Sequence, residues 1–461
     1  MSETALLFLF CFATGLLLAL VVRPMYGLYT YVAVFYLDPP SRWWGANLPG
    51  IRWSLVTALV TFVAIMIHRR SLNPRHPWYS STIARVLILY VLWMWLQSPW
   101  VISPYHLDGA ILLTKYLLLF YMMYTILDNE QDFAGFALAH AMGCAYLGWL
   151  IYVAPDRGRL ESVGGPGIDN ANTLGMHLAT GLMFAAFLLL ANRGWRRWIV
   201  VAAIPFILNG IIQTETRGAI VGVVAGGLAT IYLKPKTYRR AYYALAVVAL
   251  GAVIALANEA FLARMSTLDA AINQQEQWDT SAESRIEIVK AQLRMFSNYP
   301  LGAGHQGTAA LSRQYLDARW LAINSGTRAS HNTVMSVLVD QGVPGIILLS
   351  ILAVVVLRIL RQLKAFDRVG LPDKLGLYRA MIGGTLVTIL ASGMFAQYLR
   401  AEVQCWSLAL FAVLWDFSRD AVATKDLRSD LPIFHRSTAG PPAKIGSTLH
   451  GRSGSQLSSS E

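Results

Sequence analysis

Three side chains, far apart in the sequence, have the chemistry of a group-transfer site: His331, Arg217 and Arg285. An imidazole, with an ordinary pKa of about 6.5, takes up a proton near neutral pH. Guanidiniums present forked donors that hold a phosphate or pyrophosphate at two points. His331 lies in Ser330-His331-Asn332-Thr333, where a polar stretch gives way to membrane-grade apolar sequence. The alternative there is a Ser-His-Asn helix cap with no chemical duty. Arg217 lies in Gln213-Thr214-Glu215-Thr216-Arg217-Gly218 at the end of an apolar run. It either snorkels to the headgroups, anchored by Glu215, or pairs with an anion. Arg285 lies in Ser281-Ala282-Glu283-Ser284-Arg285, where Ser281 or Ser284 can cap a helix. An arginine in a first helical turn opposes the helix dipole unless an anion is also present, which favours binding over an i,i+4 salt bridge.

Weaker candidates surround these. Asn298-Tyr299-Pro300-Leu301-Gly302-Ala303-Gly304-His305-Gln306-Gly307 is a glycine-rich turn. Its N–H groups either face an anion or simply join two helices. His305 within it is a candidate binding residue or a solvated loop histidine. Arg159 and Asn172, on either side of Gly164-Gly165-Pro166-Gly167, are candidates for the acceptor or sugar side of a cleft, against a plain N-cap at Asn172. Asn332 either orients His331 or caps its helix. His140 and His177 sit inside apolar runs, where neutral histidines bonded across helices compete with a functional role. Cys11, Cys144 and Cys405 offer neither a disulfide framework nor a metal-ligand spacing. No Asp-x-Asp loop of the kind that holds Mg²⁺ is present.

The elements that must position these residues are membrane helices. Of 461 residues 55% are hydrophobic and 14% charged, with a mean hydropathy of +0.47; soluble domains carry roughly 25% charged residues. Apolar runs occur at 4–22, 54–68, 83–101, 110–127, 133–154, 173–191, 197–213, 218–233, 241–258, 343–360, 379–398 and 403–417. The expected fold is all-α and polytopic, with about 12 transmembrane helices, or about 13 if the short run 25–37 also crosses. Arg23-Pro24, Gly27 and the aromatic residues Tyr26, Tyr29, Tyr31 and Phe35 favour an interfacial piece at 25–37. The first run lacks the charged start and cleavage pattern of a signal peptide. There is no defensible internal repeat of the kind many transporters carry.

Basic clusters at 68–75, 193–197, 234–240 and 358–379 account for much of the +12 net charge and place those loops in the cytoplasm, with no nucleic-acid partner needed. Parity then puts 38–53, 102–109, 155–172, 215–217, the long segment 259–342 and 400–402 on the outer face, together with all three candidate residues. The tail from about Ala421 is rich in Ser, Gly and Pro, and is expected to be disordered and cytoplasmic. The resulting divisions are an N-terminal bundle (1–258), an outer loop (259–342), C-terminal helices (343–417) and a tail (418–461).

Thr216-Arg217-Gly218, Ser284-Arg285, the Asn298–Gly304 turn, and Ser330-His331-Asn332-Thr333 followed by Asp340-Gln341-Gly342-Val343-Pro344-Gly345 together resemble the O-antigen ligase-like superfamily of bacterial inner-membrane proteins. That superfamily joins lipopolysaccharide O-antigen ligases, O-antigen polymerases and protein O-oligosaccharyltransferases. The resemblance implies a GT-C-type architecture with one large helical periplasmic loop. It also implies metal-independent, inverting transfer of a glycan from undecaprenyl pyrophosphate to an acceptor hydroxyl. By that resemblance His331 is the base and Arg217 and Arg285 clamp the pyrophosphate, while Asn332, Arg159, Asn172 and His305 contact substrate. The ligase, acting on a lipid A-core acceptor among the membrane lipids, fits the single long loop better than a polymerase. A protein O-oligosaccharyltransferase is the next alternative, and a lipid-linked sugar transporter is the alternative from another class.

Overall fold

The computed structural model describes residues 2–153, 160, 163–257, 259, 261–262, 280–321, 326–397 and 400–429. Among them there is no strand. Each expected apolar run forms a helix: α1 (Glu3–Val21), α3 (Trp53–Ile67), α4 (Thr82–Gln97), α5 (His106–Ile126), α6 (Glu130–Tyr152) and α7 (Ala171–Ala191). The series continues with α8 (Trp195–Gln213), α9 (Arg217–Leu233), α10 (Arg239–Leu256), α14 (Thr333–Ala365), α15 (Asp373–Ser392) and α16 (Val403–Ser429). The described part of the long loop is also helical, with α11 (Thr280–Asn298), α12 (Gly307–Tyr315) and α13 (Ala318–Leu321). Among the described residues, eight helices are long and apolar enough to cross a membrane, and α3, α4 and α9 are shorter apolar helices. The described residues are thus those of a helical, polytopic membrane protein. One compact unit runs to Val422; the other, 423–461, is described only over the final turns of α16.

Two local expectations need correction. Residues 25–37 form helix α2 (Met25–Leu37), of 13 residues, roughly 20 Å long and too short to cross about 30 Å of hydrocarbon. Its aromatic residues are divided, however, with Tyr26 exposed and Tyr29 half-buried. Tyr31, Phe35 and Tyr36 are buried, and Phe35 packs edge-on against the fully buried Trp406 of α16 at 5.0 Å. The tail also starts later than expected. α16 continues past residue 417 to Ser429, where Arg75 pairs with Asp420 and Arg419 lies over Trp415. Residues 430–461 lie outside the described residues.

Lipid tails solvate apolar side chains about as well as other helices do, so tight helix pairing in a membrane depends on close packing of small residues and on polar contacts. Helices α9 and α15 use both. Gly218, Gly222 and Gly226 recur every fourth residue and form one face of α9. A Cβ at Gly222 would lie 2.0 Å from Ser392 Oγ, and one at Gly226 would lie 2.1 Å from Thr388 Oγ1. At the other end of the pair Arg379 is fully buried. Its Nε and Nη2 donate to Leu233 O at 2.8 and 2.6 Å, and its Nη1 to Leu363 O at 2.8 Å. Both Nη atoms also grip Asp367, at 2.7 and 3.1 Å. All five guanidinium donors are therefore used.

The two ends of the bundle are sorted as the charge bias requires. At one end lie Arg379–Asp367, Arg23–Asp132 at 2.6 Å, Lys374–Glu130 at 3.0 Å and Lys364 Nζ on Lys234 O. At the other, 102–103, 164–171, 214–218, 303–305, 392–396 and 400–401 contact one another in pairs.

Two outcomes check this packing. Gly222→Val should force α9 off α15 at a cost of roughly 1–3 kcal/mol, read as a lower unfolding temperature in detergent. Arg379→Met should cost more, about 3 kcal/mol, the low end for breaking a buried pair, because Asp367 retains 30% exposure. Unfolding temperatures equal to wild type would contradict the respective contacts.

Candidate functional site

The turn that follows α15 is where the candidate segments meet. Ser392 Oγ donates to Gly218 O at 3.0 Å, fixing the first turn of α9, which Arg217 opens. Thr333 N donates to Gly393 O at 2.7 Å, and its hydroxyl donates to Ala396 O at 2.8 Å, fixing the start of α14 two residues after His331. Gly218 is required by this arrangement, since a Cβ there would approach that of Phe395 to 2.8 Å. Helix α7 joins from the side, with Thr216 Oγ1 donating to Ala171 O at 3.1 Å. Asn172 is thereby placed beside the Thr216-Arg217 segment. Asn170, not Asn172, is the cap of α7, accepting from Thr173 N at 3.0 Å.

Arg285 arrives through a second set of buried contacts. Arg328 Nη2 donates to Ser284 Oγ at 3.2 Å. Gln292 Nε2 donates to Ser330 Oγ at 2.9 Å and to Thr308 Oγ1 at 3.0 Å. Helix α11, which bears Arg285, is thus clamped to the chain on both sides of residue 329, and His331 follows directly. Asn332 is the N-cap of α14, its side chain accepting from Met335 N at 3.1 Å, while Ser330 Oγ donates to Asn332 O at 2.8 Å. The capping role expected for this motif is therefore present. One inference about Arg285 does not hold: α11 begins at Thr280, so Arg285 sits in its second turn and Ser284 is interior to the helix. The dipole mismatch disappears, and position alone recommends this residue. Arg217, Arg285 and His331 are each half-buried, and each is engaged by a neighbour.

The glycine-rich turn serves structure. Helix α14 is broken at Gly342, with φ 65° and ψ −157°, and the 299–307 turn docks onto that break. Ala303 N and Gly304 N donate to Val339 O and Asp340 O, at 2.8 and 2.9 Å, and Val343 N donates to Pro300 O at 2.9 Å. The Asp340 carboxylate accepts from Gln306 N and Gly307 N, each at 2.9 Å. These N–H groups are satisfied internally, so the turn is not an anion cradle. His305, expected to be either a binding group or solvated, is buried: its N–H donates to His106 Nδ1 and its carbonyl accepts from Ser103. Burial, followed by the charge of Arg400, pushes its imidazole down to about 4. At neutral pH it is uncharged, and its 3.9 Å approach to Asp340 is a polar contact rather than an ion pair. Arg159 lies outside the described residues.

Two further features escaped the sequence reading. Arg400, seen there only as part of a short outer turn, lines a small cavity with His305, Tyr90 and Gln341. Deep in the bundle, Tyr36 Oη bonds His140 Nδ1 at 2.6 Å and His177 Nε2 at 2.8 Å, with Thr180 Oγ1 3.2 Å from His140 Nε2. The histidines are thus bonded across helices. Cys144, one turn after His140, joins them, and the three ligand-type atoms lie within 4.8 Å of one another. This corrects the expectation that the cysteines take part in no metal-ligand grouping. The i,i+4 pair His140/Cys144 was legible, whereas the third member comes from another helix. Tyr36 Oη bonds one nitrogen of each ring, while the buried His177 Nδ1 has no hydrogen-bond partner among the described residues.

No curated protein matches the chain. Residues 202–350 match the family model described as O-Antigen ligase. That stretch runs from within α8 to beyond the break in α14 and takes in Arg217, Arg285, His305, His331 and Asn332. Over this stretch the chain is similar to that family, and the match supports the O-antigen ligase-like superfamily.

Proposed function

We propose that the protein is an O-antigen ligase. It moves a glycan from undecaprenyl pyrophosphate to a hydroxyl of a lipid A-core acceptor, at the periplasmic face of the bacterial inner membrane. The observation that carries this reading is the Ser392–Ala396 turn, on which both the Arg217 and the His331 segments rest. The family is one of glycosyltransferase-like enzymes acting on lipid-linked glycans. The charge bias supports about twelve spans in a GT-C-type arrangement, with the C-terminus in the cytoplasm. It also supports a 259–342 periplasmic loop between the 1–258 bundle and the helices of 343–417.

In the proposed step the acceptor oxygen attacks the anomeric carbon from the face opposite the pyrophosphate, inverting that centre. The C–O bond to the pyrophosphate breaks, its electron pair leaves with the phosphate oxygen, and the hydroxyl proton passes to His331. Arg217 and Arg285 neutralise the departing charge through paired N–H donors, which costs least when they are already held in place. Asn332 caps the helix that the base precedes, and Asn172, beside the Thr216-Arg217 segment, is assigned to the sugar. His305, enclosed within the docked turn, and Arg159 both remain substrate contacts by resemblance alone. No step calls for a metal.

Purified protein with both lipids should show His331→Ala slower by about 10²–10⁴-fold, the usual worth of a positioned base; wild-type turnover would remove His331 from the mechanism. Arg217→Lys and Arg285→Lys should each lower kcat substantially, because an ammonium cannot reproduce the fork. Full activity in both would count against the clamp. A transporter would move lipid without joining the glycans, so the appearance of the ligated product separates the two classes.

A further inference from the structure

A cavity of about 420 Å³ opens between α2, α3 and α5, within the roughly 300–1,000 Å³ of sites that take organic ligands. One side of it is aliphatic. Leu55, Leu59 and Leu118 line this side and are exposed on the bundle surface, where lipid would lie. The other side is polar, with Arg52, Lys115, Asp38 and Glu402. Lys115 is the tenth residue of α5, a helix apolar enough to span. A lysine at that depth is costly unless an anion meets it, and among the described residues it forms no ion pair. Arg52 stands at the N-cap of α3, facing the same space. Glu402 is held by Tyr31 Oη at 2.9 Å, and burial pushes its carboxyl up to about 7. Its negative charge is therefore only partial at neutral pH, which weakens its opposition to the two cations.

Short stretches of chain connect the cavity wall to the segments that bear the transfer residues. Pro166 and Glu402 belong to its wall. The adjoining Gly167 lies so close to Arg400 that a Cβ would come within 2.6 Å of its carbonyl. Pro166 leads directly to Asn170–Asn172, and Glu402 follows the turn that seats Arg217 and His331.

We propose that this cavity is the acceptor-lipid site, taking a phosphorylated, acyl-chained lipid with its chain along Leu55, Leu59 and Leu118 and a phosphate at Lys115 and Arg52. The assignment rests on the proposed ligase function, which requires a second lipid beside the donor. Arg217 and Arg285 hold the donor pyrophosphate; Lys115 and Arg52 hold the acceptor, and its sugar headgroup extends past Pro166 toward His331.

The test is binding rather than turnover, so it can fail independently of the ligase reading. Full-length protein in detergent would be titrated with diphosphoryl lipid A, phosphatidylglycerol, phosphatidylcholine and undecaprenyl pyrophosphate, with binding read by native mass spectrometry. Lys115→Met and Arg52→Gln should each weaken lipid A binding by about tenfold, as expected for losing a charge-assisted contact, and leave undecaprenyl pyrophosphate binding unchanged. Lys115→Arg should retain lipid A binding, which separates charge from folding. Unchanged lipid A binding in both neutral variants would overturn the proposal. So would an equal loss for undecaprenyl pyrophosphate, or phosphatidylglycerol or phosphatidylcholine binding as tightly as lipid A.

Discussion

The close approach of α9 to α15 is the constraint on which the rest of the site depends. Three glycines on one face of α9 let its backbone lie against Thr388 and Ser392. Because lipid competes for apolar surface, only such contact, with the hydrogen bonds it permits, holds two spans in a fixed register. The register matters at the ends. It brings Gly218 O onto Ser392 Oγ, and so Arg217 onto the turn that also seats Thr333. Arg379 pins the opposite end of the same pair through three carbonyl contacts and one carboxylate. A candidate site assembled from distant segments is thereby referenced to one rigid helix pair.

The second determinant is the docking of the 299–307 turn onto the break in α14. A Cβ at Gly342 would lie 2.3 Å from Pro300 O, and Gly302 and Gly304 also take positive φ, at 92° and 94°. These are backbone conformations that L side chains rarely adopt. The turn belongs to a small core of its own, in which Ile288, Met295 and Leu311 meet Val339 from α14. Helix α11, and Arg285 with it, is fastened to the helix that His331 precedes.

Much of this was legible in the sequence. Membrane spans are long and nearly uniform in composition, so hydropathy finds them, and the basic loops sort the ends. The cap at Asn332 is a local signal, and it was read correctly as one of two options. What failed were inferences that needed neighbours. The aromatic residues of 25–37 look interfacial until Trp406, far away in the chain, is seen to cover Phe35. Ser281 and Ser284 both make plausible caps in the sequence, and only the course of α11 from Thr280 shows Ser284 to be interior. His305 between glycines reads as solvated, and nothing local announces that Ser103, His106 and Asp340 enclose it. The glycine repeat at 218, 222 and 226 was in plain view, but its partner face on α15 was not.

The break at Gly342 has a mechanical consequence. Helix α14 contains 33 residues, about 50 Å of continuous helix if straight, far more than a bilayer core of about 30 Å. Spanning helices tilt and shift as bilayer thickness varies. Beyond the break, the Thr333–Gln341 segment is bonded to the turn and to Gly393 rather than stacked on a continuous spanning helix. The docked turn, bonded on both sides of Gly342, thus replaces the interrupted helical ladder and ties the segment that follows His331 to the span below it.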